Sequence, residues 1–178
     1  MKWLWIALFI PLAACASKVV QNDPNVPLGN YYQVTGDAYL YRSAQPDHAG
    51  MLWLANNGFK TIINVNDNSS EMASEAQDAR ALGINEIQVP LASFATPSDE
   101  DIAKIEQSID PTAGKILVHC EHGQDRTGLV IGLHRVIADR WAAQKAHDEM
   151  LQYGFHTILV PLDDYFWDHS KVIPQFHN

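Results

Sequence analysis

The stretch His119-Cys120-Glu121-His122-Gly123-Gln124-Asp125-Arg126-Thr127-Gly128 constrains this 178-residue chain more than any other. Just before it, Lys115 to His119 carries Ile116-Leu117-Val118, a compact apolar run suited to a buried strand. Just after it, a helix beginning near Arg126 runs apolar from Leu129 to Val136. A strand passed through a glycine-containing loop into a helix is a building unit of α/β domains.

The rest of the chain repeats that alternation. Tyr39–Ser43 suits a short strand, and Asp47–Asn57 places Met51, Leu52, Leu54 and Ala55 at helical spacing before Gly58. Thr61–Val65 is a strand candidate, Glu71–Leu82 a helix stopped by Gly83, and Ile84–Val89 a strand ended by Pro90. Ser98 is expected to cap a helix through Ile102 and Ile105, with Asp99, Glu100 and Asp101 at its positive end. Pro111 and Gly114 close that helix, and Ala142–Leu151 forms another. Asp163 and Asp164 are expected to cap a terminal helix holding Tyr165, Phe166 and Trp167. The expected fold is α/β, with a central, largely parallel sheet flanked by helices.

The N-terminus is set apart from that domain. Trp3–Ala14 is apolar, follows Lys2 and is too short for an ordinary membrane-spanning helix. It ends in Leu12-Ala13-Ala14-Cys15, which resembles a bacterial lipoprotein signal. The resemblance implies cleavage before Cys15, acylation of Cys15 and, with Ala16 following, an outer-membrane address facing the periplasm. The expected organisation is a signal over 1–14, a polar tether over 15–30 and one domain over 31–178. The whole chain carries a formal charge of −9, and loss of Lys2 moves it to −10. That acidity argues against a nucleic-acid partner. Only two cysteines occur, so acylation of Cys15 leaves Cys120 a lone thiol.

The loop after the Lys115–His119 strand has the parts of an anion site. Its backbone N–H groups can curl around a phosphate, with the helix N-terminus adding positive potential. Gly123 supplies the crowded or left-handed backbone that such a loop needs. The spacing from Cys120 to Arg126 can set a thiolate and a guanidinium around one phosphate-sized ligand, and the positive field favours the thiolate. Cys120 then acts as nucleophile and Arg126 as a forked clamp on phosphate oxygens. Thr127 can donate its hydroxyl to the leaving sulfur, while His119 orients the loop. This chemistry calls for no metal or cofactor.

His-Cys-x-x-Gly-x-x-Arg-Thr-Gly resembles the signature of the cysteine-dependent protein tyrosine phosphatases, the compact dual-specificity branch above all. The resemblance implies a phosphocysteine intermediate and a phosphate cradle running from Glu121 through His122, Gly123, Gln124 and Asp125 to Arg126. Tyr41-Arg42-Ser43-Ala44-Gln45-Pro46 is similar to a segment of the atypical members. Trp141 to Gly154, with Ala146, Met150 and Tyr153, resembles the helix after their catalytic unit. The implied partner is a phosphorylated protein or small molecule. Three alternatives stand beside it: an inactive phosphate-dependent binding module, a phosphoinositide phosphatase and a rhodanese-like sulfurtransferase. The last has no usual Arg-Thr-Gly ending.

The pattern departs from the family at the general acid. Relatives carry an Asp on a movable loop upstream of the Cys, and the corresponding Pro90–Ala95 has none. Asp125 is the first candidate, because its Asp-Arg-Thr setting resembles the myotubularin-type lipid phosphatases. Asp99, Asp101 and no carboxylic acid at all are the alternatives. The acidic or neutral side chains of Glu121, His122, Gln124 and Asp125 favour a phosphomonoester over a polyphosphorylated inositol. His134, His147 and His156 show no helical metal pattern and are expected in structural or surface roles.

Overall fold

The computed structural model describes residues 25–34 and 36–171. A five-stranded sheet runs in the order β1-β2-β5-β3-β4, with β1 Tyr32–Gln33, β2 Leu40–Ser43, β3 Phe59–Asn64, β4 Asn85–Gln88 and β5 Lys115–His119. Only the β1–β2 pair is antiparallel, so the largely parallel sheet expected from the alternation is present. Among the described residues six α-helices accompany it: α1 His48–Asn56, α2 Ser69–Leu82, α3 Asp99–Ser108, α4 Asp125–Ile137, α5 Ala143–Gln152 and α6 Val160–Ser170.

Strand alternation divides the apolar residues between two cores. Tyr41, Ile62 and Leu117 face one side, where they join Met51 and Leu54 of α1 and Ala79 of α2. Leu40, Ile63, Ile116 and Val118 face the other, against side chains from α3, α4, α5 and α6. Helix α4 is the axis of that second layer, and every residue from Arg126 to Val136 is buried. Gly132 brings α5 close: a Cβ there would stand 2.4 Å from Met150 Sδ.

Local sequence explains most boundaries. Asp47 caps α1 by accepting from Gly50 N at 2.8 Å, and Ser98 caps α3 by accepting from Asp101 N at 3.1 Å. Gly83 ends α2 at φ 69°, in the left-handed region glycine tolerates best. Three details differ from expectation. Strand β1 carries no pattern of its own and exists through its pairing with Arg42 and Tyr41. The end of the expected tether belongs to the domain, since Leu28 is buried and Ala44 N donates to Gly29 O at 2.7 Å. Helix α6 has no side-chain cap, and Asp163 instead accepts from His147 Nε2 at 2.7 Å. The signal segment and Cys15 lie outside the described residues.

Candidate active site

Registry places the site. Ser43, His119 and Asn64 lie side by side at the carboxyl ends of β2, β5 and β3. Three loops therefore leave the same sheet edge: Ala44–Asp47, Val65–Asn68 and Cys120–Gln124. The carboxyl edge of parallel strands is where α/β sheets bind ligands.

The loop after β5 is held from outside by its carbonyls. Glu121 O accepts from Gln45 N at 3.1 Å, and His122 O accepts from Asn30 Nδ2 at 2.7 Å. Gly123 O and Gln124 O accept from Arg42 Nη2 at 2.9 and 3.5 Å, and Gln124 O also opens the α4 ladder to Gly128 N at 2.8 Å. In a planar trans peptide each carbonyl points opposite the next N–H. Tying four carbonyls outward therefore turns the N–H groups of His122, Gly123, Gln124 and Asp125 inward. They form a concave set of donors at the N-terminus of α4, which has no side-chain cap. Gly123 is indispensable to that curl: its φ is 69°, and a Cβ would lie 2.4 Å from the Ser43 backbone.

Cys120 is only 2% exposed, and two buried arginines contact its loop. Arg42 lies behind the loop, fully buried, with Tyr153 stacked 4.6 Å from its guanidinium. Burial pushes the Arg42 pKa down to about 10, and attraction to Cys120 works against that fall. Arg42 thus braces the loop mechanically and supplies positive charge near its thiol. Arg126 reaches across the site: Nη1 donates to Asn66 Oδ1 at 3.2 Å and to Leu91 O at 3.5 Å, and it meets the Asp67 carboxylate directly. Its Nη2 faces Glu121 Oε2 at 3.4 Å. Both arms of the fork are thus held by carboxylates. The Thr127 hydroxyl is buried with no hydrogen-bond partner among the described residues, a donor awaiting an acceptor.

Behind these groups runs a buried polar network. His119 Nε2 pairs with Glu75 Oε1 at 2.9 Å, both side chains almost completely buried. The other Glu75 oxygen accepts from Asn64 Nδ2 at 3.2 Å and from the Gln45 side-chain amide. Gln45 in turn accepts from Asn66 Nδ2 at 2.9 Å, and Asn66 holds Arg126. One carboxylate on α2 therefore ties together all three loops at the sheet edge. His119, expected to orient the loop, is paired with Glu75, which the sequence did not single out.

The three carboxylates expected as acids lie elsewhere. Asp125 Oδ1 accepts from His156 N at 2.7 Å and faces His156 Nδ1 at 3.0 Å, so it neither contacts nor braces Arg126. Asp99 accepts from Tyr165 Oη at 2.9 Å and faces His169 Nε2 at 3.0 Å; Asp101 closes on its own cap, Ser98 Oγ, at 2.7 Å. Asp67 and Glu75 are the carboxylates that contact Arg126 and His119, and sequence reasoning missed both. The available signal was the polar run Asn64-Val65-Asn66-Asp67-Asn68 directly after an apolar strand, the place where α/β loops carry their chemistry.

Residues 18–159 match a family described as "DSP-PTPase phosphatase fused to NAD+ Kinase". The dual specificity protein phosphatase TpbA of Pseudomonas aeruginosa is 27% identical over 135 residues, covering 75% of this chain and 57% of that protein. The chain thus spans little more than half the length of the curated relatives it matches. The crystal structure of P. aeruginosa TpbA in complex with pTyr shares the fold at TM-score 0.63 and 23% identity, over 83% of this chain and 86% of that one. Tk-PTP in its active form gives TM-score 0.68 at 18% identity, over 77% and 95%. The core catalytic domain of the PP-IP phosphatase SIW14 from S. cerevisiae gives 0.68 at 22%, over 81% and 87%. With that family matched over residues 18–159, most of this chain, and with Cys120, Arg126 and the loop between them at one sheet edge, this chain belongs to the DSP-PTPase phosphatase family.

Proposed function

We propose that this protein hydrolyses phosphomonoesters through a phosphocysteine on Cys120, acting on phosphotyrosine, phosphoserine or phosphothreonine, or on a small phosphorylated molecule. The observation that carries the reading is the outward anchoring of four loop carbonyls, which leaves inward donors around a buried cysteine beside a buried arginine. The Cys120 thiolate attacks phosphorus, the bond to the ester oxygen breaks, and the departing oxygen takes a proton. Water then attacks the phosphocysteine and the sulfur leaves as thiolate, accepting a hydrogen bond from the Thr127 hydroxyl. The N–H set and the Arg126 fork bind the phosphoryl oxygens while charge shifts among them. TpbA in complex with pTyr supports a phosphorylated side chain as ligand, and the absence of Lys or Arg among Glu121–Asp125 argues against a highly phosphorylated inositol.

Asp67 is proposed as the proton donor to the leaving group. Its carboxylate stands on Arg126, at the mouth of the cradle, and is half-exposed. A carboxyl group beside the arginine that binds the phosphoryl oxygens is placed to reach the oxygen of the leaving group. Asp125 stays an alternative donor, as does Glu121. The test compares Asp67→Asn, Asp125→Asn and Glu121→Gln on an unactivated phenyl phosphate and on nitrophenyl phosphate. Asp67→Asn should lower kcat/KM on the poor leaving group by ~10²-fold or more and much less on the good one. The same signature in another variant instead would move the role there. Turnover of neither ester by the unaltered protein, with retained phosphate binding, would favour a binding module.

The N-terminal pattern supports a further proposal, that Cys15 is acylated and holds the domain extracytoplasmically, at the outer membrane. Among the described residues no helix is long and apolar enough to cross a membrane. Cys15→Ser should shift the protein from the membrane to the soluble fraction of its host without changing the activity of the purified domain; unchanged fractionation would end the proposal.

A further inference from the structure

At the end of α4 away from the catalytic loop lies a second cluster that the phosphatase chemistry does not use. Asp37 sits in the turn between β1 and β2, His134 in the last turn of α4, and Asp139 just beyond that helix. One ligand atom from each lies within 4.8 Å of the other two.

Three observations at the cluster point to a cation. The His134 side chain is 4% exposed; its Nδ1 lies 3.1 Å from Glu106 Oε2, and its Nε2 has no hydrogen-bond partner among the described residues. With the Nδ1 proton given to Glu106, Nε2 presents a bare lone pair. A carboxylate behind an imidazole is the usual way a metal-bound histidine is oriented and made more basic. Next, Asp37 Oδ2 and Asp139 Oδ2 both accept from Arg135 Nη1, at 2.8 and 2.7 Å. The shared donor fixes two carboxylates side by side and leaves each a second oxygen. Charge is the remaining observation. Glu149 also takes Arg135, at 2.9 Å through Nε and 3.0 Å through Nη2. Four carboxylates, Asp37, Glu106, Asp139 and Glu149, therefore meet one guanidinium and one imidazole in a largely buried place, where unbalanced charge is costly.

We propose that Asp37, His134 and Asp139 form a site for a divalent transition metal, Zn2+ foremost. One imidazole nitrogen and two carboxylate oxygens make a donor set that suits borderline cations, with water completing the shell from the partly exposed Asp139 side. Glu106 and Arg135 orient the ligands. A metal here joins the β1–β2 turn to the end of α4 and serves stability, not the reaction at Cys120.

The test uses the full chain with Cys120→Ser, which removes the catalytic thiol as a competing zinc ligand, stripped with a chelator. Calorimetric titration with Zn2+ should show a saturable site involving one ion, and thermal melting should rise by several degrees on zinc addition and fall back with chelator. Asp139→Asn and Asp37→Asn should each weaken that site at least tenfold, and Glu106→Gln should weaken it ~10-fold through His134. His134→Gln should abolish it; if that buried variant fails to fold, the two partly exposed aspartates carry the comparison. Zinc-indifferent melting would overturn the proposal and leave an ion-pair cluster with a protonated His134. Zinc affinity unchanged from the parent protein in both Asp139→Asn and Asp37→Asn would overturn it as well, placing the ion on other ligands.

Discussion

Gly123 concentrates the demands of the cradle into one residue. Its backbone has φ 69°, its carbonyl is held by Arg42, and the Ser43 backbone occupies the space a side chain would need. Gly123→Ala must therefore push the loop away from β2 and disturb several inward N–H groups at once. Loss of one such donor in comparable sites costs ~10²–10³-fold in rate, so kcat/KM should fall by at least that much, and inorganic phosphate should protect Cys120 from alkylation less well. Wild-type kinetics in that variant would mean that the N–H set does not bind the transition state. Gly123, Cys120, Arg126 and Thr127 were legible because their relation is local to one loop. Asp67 and Glu75 were not, because they meet Arg126 and His119 only after β3 and β5 pair. Asp125 meets His156 and not Arg126 for a different reason: neighbours on a helix point about 100° apart, so adjacency in sequence separates their side chains in space.

At the scale of elements, the alternation of apolar strands and helical patterns was readable because period 2 and period 3.6 leave different marks. What escaped was structure made by partnership. Strand β1 is two residues long, and Leu28 follows Val26 in a short stretch broken by Pro24, Pro27 and Gly29, so neither carries a period. Both belong to the N-terminal edge, where Tyr31 stacks on Tyr41 at 5.7 Å and meets Trp53 edge-on at 5.3 Å. Burial, then the neighbouring Tyr41, push the Tyr31 pKa up to about 12. A tyrosine held neutral in the fold contributes stability that is whole below its unfolded pKa, near 10, and is lost as pH rises through the folded value. Burial also raises Tyr32, Tyr39 and Tyr165, so the chain should lose stability steadily between about pH 10 and 12. Denaturant melts across that range should show a falling midpoint, and Tyr31→Phe should make the fall shallower. Identical slopes in the two proteins would show that Tyr31 ionises as freely folded as unfolded.

For the molecule as a whole, the fold accounts for how an acidic chain builds an anion site. The net charge is −9, yet Arg42, Arg126 and the start of α4 lie at the same sheet edge. Local potential, set by a few buried groups and a helix terminus, outweighs the sign of the whole at short range. The division into layers serves the same end. Helix α4 is enclosed by β5, α3, α5 and α6, so its N-terminus is a fixed point, and Glu75 on the opposite layer locks the loops that surround it. The proposed hydrolysis rests on one chemical event at Cys120. The direct measurement is intact mass after rapid quenching of the protein with an aryl phosphate, followed by fragmentation to locate the added group. One phosphoryl group on Cys120, formed at least as fast as turnover and absent in Cys120→Ser, is the expected result. Full-rate hydrolysis by Cys120→Ser, or a phosphoryl group on any other residue, would contradict it.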